Sequence, residues 1–102
     1  MNAYLIGADR LGNIPQLLDR YGIRIAAHLS GRDASHQRKP TSARGADLII
    51  LFTDFMGHNV MRNYRQLATQ NNIRFVACRR SVCDLEQSLL PVLQRAAVHQ
   101  HP

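Results

Sequence analysis

His58 stands just before Val60, Met61, Tyr64, Leu67 and Ala68, apolar residues whose spacing predicts an amphipathic helix. An imidazole at the start of a helix meets the positive end of the helix dipole, a setting that favours the neutral, metal-ligating form. Phe55, Met56, Val60 and Met61 around it are apolar and polarizable, as the wall of a haem pocket would be. On spacing alone, a polar loop or capping role is the commoner use of such a histidine. His28 could approach the same place from a neighbouring strand, but a satisfied core histidine is its more ordinary reading. His36, His99 and His101 receive no role, and no tight metal cluster is visible.

Covalent chemistry finds less support. Asp9 and Asp54 are candidates for acid and base, and Ser30 or Cys78 for a nucleophile, yet no spacing assembles them into a triad. A binding role is therefore expected in place of catalysis. Cys78 and Cys83 are too few for a disulfide scaffold, and one Cys-x4-Cys pair is a poor zinc signature, so both are expected as reduced structural thiols. The net charge of +6 arises from twelve arginines and one lysine against seven acids. Guanidinium forks match phosphate and carboxylate, so anionic partners are expected, although a GC-rich genome would also raise the arginine count. The turn from Gly7 to Gly12 is neither a Walker loop nor a dinucleotide fingerprint, and tight turning alone can explain its glycines. With three Tyr, three Phe and no Trp, the chain lacks the interleaved aromatics of single-strand readers, which makes nucleic acid the second choice of partner.

The elements that must position these residues follow from periodicity. At 102 residues the chain has room for one domain, expected over 1–98, with a flexible tail at 99–102. Tyr4 to Gly7 reads as a strand, and Ile14, Leu17, Leu18 and Tyr21 as a short helix capped by Asn13 and closed by Gly22. Ile23 to Leu29 is a second strand, and 33–45 a mobile basic loop. The unbroken apolar run Asp47 to Phe52 has the pattern of a parallel strand buried on both faces. The helix after His58 closes at Asn71-Asn72, Ile73 to Ala77 is a fourth strand, and Ser81 with Asp84 resembles a capping box for a last helix that Pro91 should kink or restart.

This order predicts an α/β, three-layer Rossmann-like fold with a four-stranded parallel sheet in the order 2-1-3-4. Its topological switch lies between strands one and three, where open sheets bind ligands beyond the carboxyl ends of the strands. The loops 7–12 and 53–58 meet there, flanked by Ser30-Gly31-Arg32 and Arg79-Arg80-Ser81. No apolar run reaches the roughly 18 residues of a membrane span, and the N-terminus lacks a secretory pattern, so a cytoplasmic location and no membrane partner are expected.

Five blocks in order, Gly7-Ala-Asp9-Arg10-Leu11-Gly12, His28-Leu-Ser-Gly31-Arg32, Ala46-Asp47 leading into Thr53-Asp54-Phe55, His58-Asn59 and Arg79-Arg80-Ser81, resemble a small bacterial family known only as domain of unknown function number 2325. The resemblance implies binding of haem and of dioxygen or another diatomic gas, for sensing or storage. It implies His58 as iron ligand and Asp9, Arg10, Arg32, Thr53, Asp54, Arg79 and Arg80 as cofactor-binding residues, the arginines pairing with propionates. So small a domain has little depth for a porphyrin, which suggests a homodimer around it. Gly57 departs from the family's pattern, where Asn or Ser is expected, and the loop 33–45 is longer than usual. The alternative is a regulatory module that holds a phosphate ligand or nucleic acid in the arginine-rich crevice.

Overall fold

The computed structural model describes residues 1–8, 10–29, 45–54 and 57–100, with side chains described as far as residue 94. The elements run β1 (Asn2–Ile6), α1 (Ile14–Arg20), β2 (Arg24–Leu29), β3 (Leu48–Phe52), α2 (His58–Gln70), β4 (Arg74–Cys78) and α3 (Val82–Gln100). All four strands pair in parallel in the order β2-β1-β3-β4. The α/β architecture and strand order are those expected from the crossover pattern.

Leu48, Ile49, Ile50, Leu51 and Phe52 are all fully buried, because β3 is an inner strand with helices over both faces. On one face Leu5, Leu48, Ile50, Phe52 and Val76 pack against Leu17 and Leu18 of α1 and Leu85 and Leu89 of α3. On the other face Ile6, Ile49 and Leu51 pack against Val60, Tyr64 and Ala68 of α2. The sheet is thus the middle of three layers. The register of β2 with β1 slips between Ala3 and Tyr4, which face Ile25 and Ala27, so Ala26 is an extra residue in this edge strand.

Two helices end alike. After α1, Gly22 N–H donates to the Asp19 carbonyl at 3.0 Å and Ile23 N–H to the Leu18 carbonyl at 2.9 Å, with Gly22 at φ 69°. After α2, Asn72 takes the same left-handed place at φ 55°, and Ile73 N–H reaches the Ala68 carbonyl at 2.8 Å. Both are Schellman closures, which swing the chain straight into the next strand.

Two local expectations need correction. Asn13 occupies the N-cap of α1 but makes no side-chain capping bond. Pro91 does not restart the last helix, which runs unbroken from Val82 to Gln100. The proline costs roughly 3 kcal/mol in a helix interior, but Leu85 and Leu89 before it are fully buried, each contributing about 1.5–3 kcal/mol, and half-buried Val92 and Leu93 after it pack against the same core. Continuing α3 therefore wins. The helix also takes in residues 99 and 100 of the expected tail, while 101 and 102 lie outside the described residues. The basic loop at 33–45 lies outside them as well, except for Gly45.

Candidate functional site

The crevice is built from the turns that leave β1, β3 and β4 at their carboxyl ends. Gly7 has φ 102° and Gly12 φ 55°, values that side chains other than glycine's rarely accept, so both glycines serve the β1 turn directly. Gly7 N–H donates to the Leu29 carbonyl at 2.8 Å, which ties that turn to the end of β2. His28 adds a second tie, its Nε2 contacting the Ala8 carbonyl. A carbonyl only accepts, so this ring nitrogen must carry the proton. The histidine is satisfied, as expected, but it is exposed and not in the core.

Arg80 clasps the three turns together. Its backbone N–H donates to Asp54 Oδ1 at 3.0 Å, and its side-chain Nη1 donates to the Arg10 carbonyl at 2.8 Å. Asp54 therefore holds the β4 turn and does not cap α2, whose N-cap is Gly57 without a side-chain bond. Thr53 N–H donates to the Cys78 carbonyl at 2.9 Å, and its hydroxyl reaches the same oxygen at 3.4 Å, joining the ends of β3 and β4.

These bonds divide the expected binding set. Thr53, Asp54 and Arg80 shape the crevice, with the relevant polar groups already engaged. The side chains of Arg10, Arg79 and His58 are exposed around it and make no hydrogen bond or ion pair among the described residues. Asp9 and Arg32, with Phe55 and Met56, lie outside the described residues.

The helix starts also differ. α2 has no acidic residue in its first turn and no side-chain cap, which leaves His58 beside uncompensated N–H groups. α3 is already satisfied: Asp84 N–H donates to Ser81 Oγ at 3.4 Å, half of the expected capping box, and Asp84 lies in the first turn. Burial pushes the Cys78 thiol up to about 11, helped by the nearby Asp84 and Asp54 carboxylates. A thiol so held stays protonated at neutral pH, which removes Cys78 as a nucleophile. Both cysteines are free.

Sequence reasoning missed the clasp itself, since the bond from Arg80 to Arg10 crosses 70 residues and leaves no local pattern. It also missed the bond from the Tyr21 hydroxyl to Glu86 Oε2 at 2.9 Å, which pins α1 to α3. A separate open groove of about 760 Å³ runs along α1 and β2 past Pro15, Asp19, Gly22 and Arg24. It contains none of the crevice side chains, and its one acid and one base give it no coherent charge.

The profile of domain of unknown function 2325, described as an uncharacterized protein conserved in bacteria, matches residues 2–91. The chain belongs to this family. The match to family 2325 takes in every element up to Pro91 of α3, and with them the whole clasp. No curated protein and no solved structure matches the chain. Among the described residues, no helix is long and apolar enough to cross a membrane.

Proposed function

We propose that this member of family 2325 is a haem-binding protein, with His58 as iron ligand and Arg10 and Arg79 paired to the propionates. The reading rests on one observation above all. The Arg80 clasp fixes three turns while an imidazole and two guanidinium groups around the same crevice have no partner among the described residues. That donor set suits haem. A bare metal ion would need further protein ligands, and among the described residues no group of three or more His, Cys, Asp or Glu stands ready to hold one. A porphyrin brings its own nitrogens and asks the chain for one imidazole.

Bound haem would supply reversible binding of dioxygen or another diatomic gas, for sensing or storage in the bacterial cytoplasm. The chain's part is to orient and to neutralise. His58, at the first position of α2, is carried by a helix anchored through buried Val60 and Tyr64. Arg10 and Arg79 offer planar forks to carboxylates, and Arg32 belongs to the same proposal. Because His58 is exposed, a second copy of the chain would close over the outer face of the ring, giving a homodimer.

Titration with haemin tests this directly. A sharp Soret band that saturates near one haem per chain or per dimer, and that His58→Ala abolishes or shifts, is expected. The broad spectrum of free haemin from both proteins would refute the proposal. In that event the free Arg10 and Arg79 and the uncapped start of α2 favour a small phosphate-bearing ligand in the same crevice.

A further inference from the structure

The outer face of α2 is a second surface, which meets the crevice at His58 and Arg79. Val60, Tyr64 and Ala68 turn into the core, which leaves His58, Asn59, Arg62, Arg65, Gln66, Thr69 and Gln70 exposed. Helical spacing sorts the exposed side into two rows. Arg62 and Arg65 form a cationic row that starts beside His58, and Asn59, Gln66 and Gln70 an amide row next to it, with half-buried Asn63 at its edge. The guanidinium of Arg65 lies 5.6 Å from the centre of the Phe75 ring, which places the cationic row on the side of α2 that faces β4. β4 is an edge strand, with Arg74 at its start and Arg79 and Arg80 just past its end.

The acids lie elsewhere. α2 contains none. Among the described residues, Asp19, Asp84 and Glu86 belong to the opposite helical layer. Asp47 accepts the Asn2 N–H at 2.7 Å and Asp54 the Arg80 N–H at 3.0 Å, both already engaged at the ends of β3. Among the described residues, the sheet thus separates an acid-containing helical layer from a basic one without acids.

We infer that the α2 face binds the phosphate backbone of a nucleic-acid duplex, with Arg62, Arg65 and Arg79 on phosphates and the amide row toward the bases. Charge complementarity carries the choice of a polyanion, and the makeup of the face decides which one. Among the described residues it has no exposed apolar side chain to enter a bilayer, since the exposed large ones, Met1 and Leu90, lie outside α2. Its described aromatics, Tyr64 and Phe75, are buried or half-buried, so among the described residues it has no platform on which unpaired bases could stack. A rod of phosphates read by Arg and amide side chains remains.

Fluorescence anisotropy of a labelled DNA duplex, titrated with the full chain from about 50 to about 200 mM salt, tests the inference. Wild type should bind with a log–log salt slope of roughly −3, about −0.9 for each arginine–phosphate contact. Arg62→Glu with Arg65→Glu should weaken binding at least about tenfold and flatten the slope by about 2, with an unchanged circular dichroism spectrum. Arg20→Glu, on the opposite layer, should change affinity less than about twofold. If the double variant fails to fold, Arg62→Glu alone should still weaken binding by about threefold. The inference is overturned by absence of duplex binding at low salt, by equal losses from Arg20→Glu, or by binding to phosphatidylglycerol vesicles without binding to duplex.

Discussion

Arg80 works through two different groups, a backbone N–H toward Asp54 and a guanidinium toward Arg10, so its side chain is a strut between turns, whereas the Arg79 side chain makes no bond among the described residues. The two arginines should therefore separate on mutation. Arg80→Ala loses one exposed bond to a carbonyl, which should lower stability in urea by about 1 kcal/mol and weaken haemin binding by loosening the crevice. Arg79→Ala should leave the urea midpoint unchanged and weaken haemin binding alone. Equal urea midpoints for wild type and Arg80→Ala would remove the strut. From sequence, the type and neighbourhood of these residues were legible, but the division of labour was not. Neither Arg80 nor Asp54 carries a local sign of a partner 70 or 26 residues away.

Cys78 makes a prediction about pH at the same scale. Its thiol ionises near 9.0 in the unfolded chain but is pushed to about 11 in the fold, chiefly by burial and then by Asp84 and Asp54. Between those values the folded chain holds a proton that the unfolded chain has released. This contribution to stability is intact below about pH 9 and is lost as pH rises toward about 11. Tyr21, raised chiefly by its bond to Glu86, acts in the same direction, so the test is a difference. Urea midpoints at about pH 8 and about pH 10.5 should fall less in Cys78→Ala than in wild type. Parallel falls would show that the thiol does not contribute.

Among the elements, the helices and strands were largely written in periodicity, and errors arose where packing outvoted a local rule. Gly22 and Asn72 close their helices as their types suggest. Pro91 suggested a kink or a restart, but the apolar stripe on both sides of it is committed to the same sheet face, and one continuous α3 without a restart results. The proline should then be a net local cost. Pro91→Ala should raise stability by about 1–3 kcal/mol, seen as a higher melting temperature with unchanged circular dichroism. A lower melting temperature would mean that the ring itself is needed where it sits. Asn13 and Asp54 show the opposite limit: each has a type suited to capping, yet neither side chain caps a helix. Type gives a residue the capacity for such a bond, and the path of the chain decides where the bond goes.

For the molecule as a whole, the strand order was readable because parallel crossovers leave few arrangements open, and the unbroken apolar run of β3 marked the centre of the sheet. The meeting of three turns at one edge follows from that order. The charge layering does not, since the acids of α1 and α3 are interleaved in sequence with the bases of α2 and β4 and separate only when the sheet divides the helices. Within that plan His58 lies where the crevice and the basic face meet, at the first residue of α2, and the haem reading depends on it more than on any other side chain.

Rescue by free imidazole tests that dependence most directly. Haemin is titrated into wild type, into His58→Ala, and into His58→Ala with imidazole added, and the Soret band is followed in each. If His58 ligates the iron, wild type gives a sharp saturating band, the variant loses it, and the band returns when imidazole takes the place of the missing side chain. A variant that titrates like wild type, or a wild type that gives only the broad spectrum of free haemin, would contradict it.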